Sequence, residues 1–134
     1  MSKIPGTYEF MWSENFEEFM TYVGLAECAG KFLQSKPIVQ FKEDNGTWTL
    51  IVNQDGVITT STFQLGKPYK EYLPHLTMGL KCITTREGNN FKMTTYLENR
   101  TFSRLYEFTD DGMTANLYSD ENGVTSKRVY RRIN

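Results

Sequence analysis

The chain has 134 residues, 39% of them hydrophobic, with 15 basic and 16 acidic side chains and a formal net charge of −1. That length can bury a core as one domain, residues 1–134, without disulfides or metals, and the balanced charge gives no general attraction to nucleic acid or an acidic membrane. No run approaches the roughly 18 to 20 apolar residues that span a bilayer, and "MSKIPGTYEF" lacks the apolar core of a signal peptide. A cytoplasmic location is therefore expected, with Cys28 and Cys82 as free, buried thiols.

In chain order, "GTYEFMW" reads as a first strand. In "SENFEEFMTYVGLAECAGKFLQSKP", Phe16, Phe19, Met20 and Val23 fall at i, i+3, i+4 and i+7 and line one helix face. Asn15 is the expected N-cap, Glu18 completes a capping box, and Gly24 marks the helix end. A second helix over residues 25–34 brings together Leu25, Ala29, Phe32 and Leu33, before Pro37 forces Lys36 into an extended conformation.

From Pro37 onward the chain becomes a series of hairpins. "PIVQFK" meets the turn "EDNG", "TWTLIV" meets "NQDG" and "VITTSTFQL" meets "GKP"; a strand around "YKEYL" follows. Then "LKCITT" meets "REGNN", "FKMTTYL" meets "ENR", "TFSRLYEF" meets "TDDG", "MTANLY" meets "SDENG", and "VTSKRVYRRI" closes. Asn-Gly and Asp-Gly supply the positive φ that tight hairpins need. Asn45 and Asn99 head glycosylation sequons, which without export serve only as turn residues.

About ten consecutive strands favour an all-β fold: a ten-stranded up-and-down antiparallel β-barrel, or β-clam. Two short helices between strands 1 and 2 cannot fit in the wall and form a helix-turn-helix lid over one open end. A barrel of this size leaves a cavity for a ligand.

The ending "KRVYRRIN" holds four cations in eight residues. As a strand it places Arg128, Tyr130 and Arg132 on one face, and Lys127, Val129, Arg131 and Ile133 on the other. From these residues alone, a solvated edge strand with surface charges is the favoured reading over a buried site.

The chain resembles the intracellular lipid-binding protein family, the fatty-acid-binding proteins and their retinoid-binding relatives. The likeness rests on "GTYEFMWSENFEEFM", "SKPIV", "STFQLG" and "SKRVYRR", in order and at matching spacing over essentially the whole chain. It implies a carrier that holds a long-chain fatty acid or related small lipid in the barrel. The family's Arg-x-Tyr pair, which binds the carboxylate, falls on Arg128 and Tyr130. An arginine facing a low-dielectric cavity needs an anion, and a planar guanidinium matches a carboxylate with two parallel hydrogen bonds. Lys127, Arg131 and Arg132 stay solvated on this reading.

Two departures bear on the ligand. The family's further arginine or glutamine, before the "DG" turn, is replaced by Tyr106, with Arg104 two residues earlier on the same face. Either Arg104 reaches along the strand to the carboxylate, or a phenol stands in for a cation and tolerates a less charged headgroup. The lid offers only Lys31 and Lys36, which gives little support to electrostatic collision with membranes. In the portal region, Gly56 or Val57 takes the place of the family's gating phenylalanine. Leu73, Pro74, Leu76 and Met78 make an apolar turn expected to pack under the lid.

The segments that carry the resemblance imply tail contacts from Phe16, Met20, Leu25, Phe32, Pro37, Ala115 and Leu117. No catalytic residue, metal or cofactor is expected: the single histidine, His75, has no nucleophile elbow beside it, and no glycine-rich phosphate loop or metal-ligand spacing occurs. A lipocalin would carry Gly-x-Trp near its start and no helical pair after strand 1, whereas this chain opens Gly6-Thr7-Tyr8. The partners expected are the lipid and, through the lid, transient contact with a membrane or acceptor protein, by a monomer. A retinoid or other bulky amphiphile in the same cavity is the alternative.

Overall fold

The computed structural model describes residues 3–76, 78–98, 100–119 and 123–134, with backbone alone at 28, 31 and 32. The side chains of Cys28 and Phe32, and the whole of Asn99, therefore lie outside the described residues.

Strand β1 (Gly6–Glu14) is followed by helices α1 (Phe16–Tyr22) and α2 (Ala26–Leu33). Nine strands follow: β2 (Ile38–Asp44), β3 (Thr47–Gln54), β4 (Val57–Gln64), β5 (Tyr69–Glu71), β6 (Leu80–Glu87), β7 (Asn90–Tyr96), β8 (Thr101–Phe108), β9 (Gly112–Ser119) and β10 (Thr125–Arg132). Neighbours pair antiparallel in the order β4-β3-β2-β1-β10-β9-β8-β7-β6-β5, a nearly closed ten-stranded barrel. The ends β4 and β5 meet through a side chain, where the Tyr72 amide donates to Ser61 Oγ at 2.8 Å.

The tight turns follow the sequence chemistry. Asn45-Gly46 and Asp55-Gly56 all have positive φ, as two-residue hairpins with the strand's own twist require. At the end of α1 the Gly24 amide bonds Thr21 O and the Leu25 amide bonds Met20 O, at 3.2 and 2.7 Å. This paired closure of a helix needs a left-handed residue, and Gly24 supplies φ 87°. The start of α1 differs from the expected capping box. Asn15 stands at the N-cap position as expected, but it is left-handed at φ 56° and its side chain makes no capping hydrogen bond. Its side-chain amide instead donates to Thr125 O of β10 at 2.8 Å, so the residue ties the lid to the barrel wall.

Alternation along the strands sends one face inward, as in β3, where Trp48, Leu50, Val52 and Gln54 are buried in turn. The inner face splits into two regions. Trp48, Phe41, Phe63, Phe91, Phe108 and Tyr8 fill one with edge-to-face and stacked rings at centroid separations of 4.9 to 6.5 Å. Each such side chain contributes roughly 1.5–3 kcal/mol by burial. The second region is the cavity.

Strand β10 is not an edge strand: it pairs with β9 on one side and β1 on the other. Arg132 departs from the solvated role expected of it. It donates to the carbonyls of Pro5 (3.0 Å), Thr109 (2.9 Å) and Lys3, and covers the Tyr8 ring. Arg131 pairs with Glu9 at 2.7 Å, and Lys127 lies over Trp12 on the outer face.

Candidate functional site

Helix α1, Leu25 between the helices, Leu73 after β5, and strands β2, β3, β5, β6, β8, β9 and β10 enclose or border about 680 Å³ of space, part of it open to solvent. Strand register assembles its polar wall. Tyr106 of β8 pairs with Ala115 of β9, which pairs with Arg128 of β10. One row further along, Arg104 pairs with Leu117, and Leu117 with Ser126. The period-two alternation that turns Ala115 and Leu117 inward turns the polar side chains beside them inward too.

Arg128, Tyr130, Tyr106, Arg104, Phe16, Met20, Leu25, Ala115 and Leu117 all stand on the cavity wall. Pro37 does not: it is packed in the core, and its carbonyl accepts from the Phe10 amide at 3.1 Å. A ring with no amide hydrogen suits the start of a strand, and the fixed backbone there serves closure of the sheet rather than the cavity. Wall residues absent from the sequence expectation are Glu71, Val39, Leu50, Val52, Leu80 and Phe102, with Leu73 expected under the lid. The apolar turn divides. Leu73 and Leu76 pack against the core and Pro74 is buried, whereas Met78 is 69% exposed.

Arg128 is 4% exposed. Its Nε donates to Tyr130 Oη at 3.1 Å, and its guanidinium carbon lies 4.2 Å from the ring centres of both Phe10 and Phe16. Phe16 belongs to the lid, so the lid's first turn rests directly on this arginine.

Arg104 is engaged differently. Its Nη2 and Nη1 donate to the two carboxylate oxygens of Glu71 at 2.5 and 3.1 Å, and Nη1 also reaches Tyr106 Oη at 3.4 Å. Burial opposes its charge, yet the Glu71 carboxylate, with Tyr106 and Cys82, holds its pKa well above the usual value. Glu71 is 1% exposed and arrives on the three-residue β5. A buried guanidinium requires a counter-charge, and that requirement is the signal in "YKEYL" by which Glu71 could have been found.

Burial raises the Tyr106 hydroxyl from 10.0 to about 12 against the pull of Arg104, so it stays a neutral O–H donor. Burial, then Glu71, raises the Cys82 thiol from 9.0 to about 12, and burial raises Tyr69 above its usual value. In the unfolded chain these groups lose protons at their ordinary values, so the folded state binds more protons above about pH 9. Stability is therefore full below about pH 9 and falls as pH rises towards 12. Tyr106 alone accounts for about 3 kcal/mol of that loss. Urea unfolding at pH 8 and pH 11 checks this; equal stability at the two would contradict it.

No protein-family model matches the chain. Its sequence is 27% identical to a fatty acid-binding protein of Tyrophagus putrescentiae, over 98% of this chain and 99% of that one. Its fold matches fatty-acid-binding protein 1 of Echinococcus granulosus with a TM-score of 0.88 at 19% identity, covering 100% of both chains. It also matches the Schistosoma mansoni fatty acid binding protein, solved in complex with arachidonic acid, with a TM-score of 0.87 at 20% identity, covering 100% of this chain and 98% of that one. Over its full length the chain is thus similar in sequence to fatty acid-binding proteins, and it shares the fold of the solved ones.

Proposed function

We propose that the chain is a cytoplasmic, monomeric, single-domain carrier that reversibly binds a long-chain fatty acid and performs no chemistry on it. The tail lies in the cavity beneath α1 and α2, and the carboxylate is held by Arg128 and Tyr130, with Tyr106 as a neutral donor one register row across β9. The observation that carries the reading is the charge of an otherwise mostly apolar wall. Arg104 and Arg128 against Glu71 leave one formal positive charge, matched by one carboxylate. The relatives' binding of fatty acids supports the same class.

The energetics favour tail over head. Each buried CH₂ contributes roughly 0.8 kcal/mol, so a dozen methylenes outweigh one headgroup contact, which sets orientation. Among the described residues no helix is long and apolar enough to cross a membrane, and delivery is assigned to transient contact of the lid with a membrane or acceptor protein.

A second reading, a retinoid or other bulky amphiphile, is favoured by Tyr106 and by the engagement of Arg104 with Glu71, which together lower the demand for a charged headgroup. Titration of delipidated protein with hexadecanoate, its methyl ester and all-trans-retinol separates the two. Hexadecanoate is expected to bind tightest and the ester about tenfold more weakly. Retinol binding tighter than hexadecanoate would transfer the assignment to the second reading.

A further inference from the structure

The Glu71–Arg104 pair lies in the cavity wall itself, not behind it. Both carboxylate oxygens are engaged by one guanidinium, and Cys82 Sγ sits 3.7 Å from Oε1. The carboxylate is fixed from several sides. Glu71 pairs across the sheet with Leu80, and the Tyr72 amide beside it is held by Ser61. The Arg104 guanidinium has further oxygen contacts at 3.4 Å to Tyr106 and Thr95. Arg104 is thus a cation whose counter-charge is built into the fold, although it stands one register row from the row that holds Arg128.

Resting on the fatty-acid reading above, we infer that Glu71 is a specificity-determining residue: by engaging Arg104 it restricts the cavity to ligands whose headgroup carries a single negative charge. A second negative charge on the headgroup would have to take Arg104 from Glu71. That means giving up two charge-assisted hydrogen bonds and leaving a buried carboxylate uncompensated. A single charge meets the Arg128 row and leaves the pair intact. Without Glu71 the same wall would present two cations and select for dianionic heads.

Hexadecyl sulfate and hexadecyl phosphate test this directly, since both heads are tetrahedral. Near pH 8 the phosphate carries close to two charges, and near pH 5 about one. Titrated into the delipidated wild type near pH 8, the sulfate is expected to bind about tenfold more tightly than the phosphate, and the gap is expected to close near pH 5. Glu71→Gln keeps an oxygen acceptor for Arg104 and removes the charge. In that variant the ratio near pH 8 is expected to move about tenfold towards the phosphate.

Equal affinities for the two probes in the wild type near pH 8 would overturn the inference. So would a Glu71→Gln protein that binds hexadecanoate and keeps the wild-type ratio; the fatty-acid reading would then stand alone. Wild-type protein that binds neither hexadecanoate nor either probe would instead bring down the fatty-acid reading, and this inference with it. Should Glu71→Gln fail to fold, the wild-type gap and its closure at low pH remain decisive.

Discussion

Phe91→Ala is expected to unfold about 3–5 kcal/mol more easily than the wild type in urea. The phenyl ring has no exposed surface. It meets Trp48 at 4.9 Å, Phe108 at 5.7 Å, Phe41 at 5.8 Å and Phe63 at 5.9 Å, all edge to face. Truncation removes these contacts and leaves a void among rings held by several different strands, which cannot all close in on it. Phe91 is not on the wall of the ligand cavity. The stability loss should therefore come with a hexadecanoate affinity within about threefold of wild type, equivalent to under 1 kcal/mol. A loss below about 1 kcal/mol would show that the aromatic region collapses around the gap.

Arg128→Gln is expected to weaken hexadecanoate binding about 10- to 100-fold while leaving the methyl ester within about threefold. Hydrogen bonds to a charged group contribute about 1.5–3 kcal/mol, and the neutral ester does not form the charge-assisted pair. Binding is not abolished, because the apolar wall formed by Phe16, Met20, Leu117 and their neighbours still takes up the chain. The guanidinium also lies between Phe10 and Phe16, so its loss removes a contact between lid and wall. Comparison of the two ligands separates these effects. Equal weakening of acid and ester would mean that Arg128 acts through packing of the lid rather than through the carboxylate.

The hairpin architecture was legible because its signals are local. Asn45-Gly46 and Asp55-Gly56 turn where two-residue loops must, and Gly24 ends the first helix by a backbone conformation that favours glycine. Inward positions on β8, β9 and β10 are implied by the family resemblance, and strict alternation along each strand brings Tyr106, Ala115, Leu117, Arg128 and Tyr130 to the cavity wall.

What could not be read depends on which strands meet. Asn15 fits a capping box by sequence, but Thr125, 110 positions away, offers its amide a carbonyl partner. Glu71 and Arg104 are 33 residues apart and join only when β6 and β7 pair between β5 and β8 in the sheet. Arg132 looked like a surface charge because the carbonyls it satisfies, of Lys3, Pro5 and Thr109, belong to segments remote in sequence. The aromatic half of the barrel was missed for the same reason: its rings are spread from Tyr8 to Phe108, and no local pattern marks them as one cluster.

The most direct test of the carrier assignment is native mass spectrometry of protein purified without added lipid, followed by identification of what organic extraction releases. The account predicts a bound fraction made up of fatty acids of roughly 16 to 20 carbons, diminished in Arg128→Gln. Wild-type protein carrying only a neutral lipid, retained equally by the variant, would contradict it.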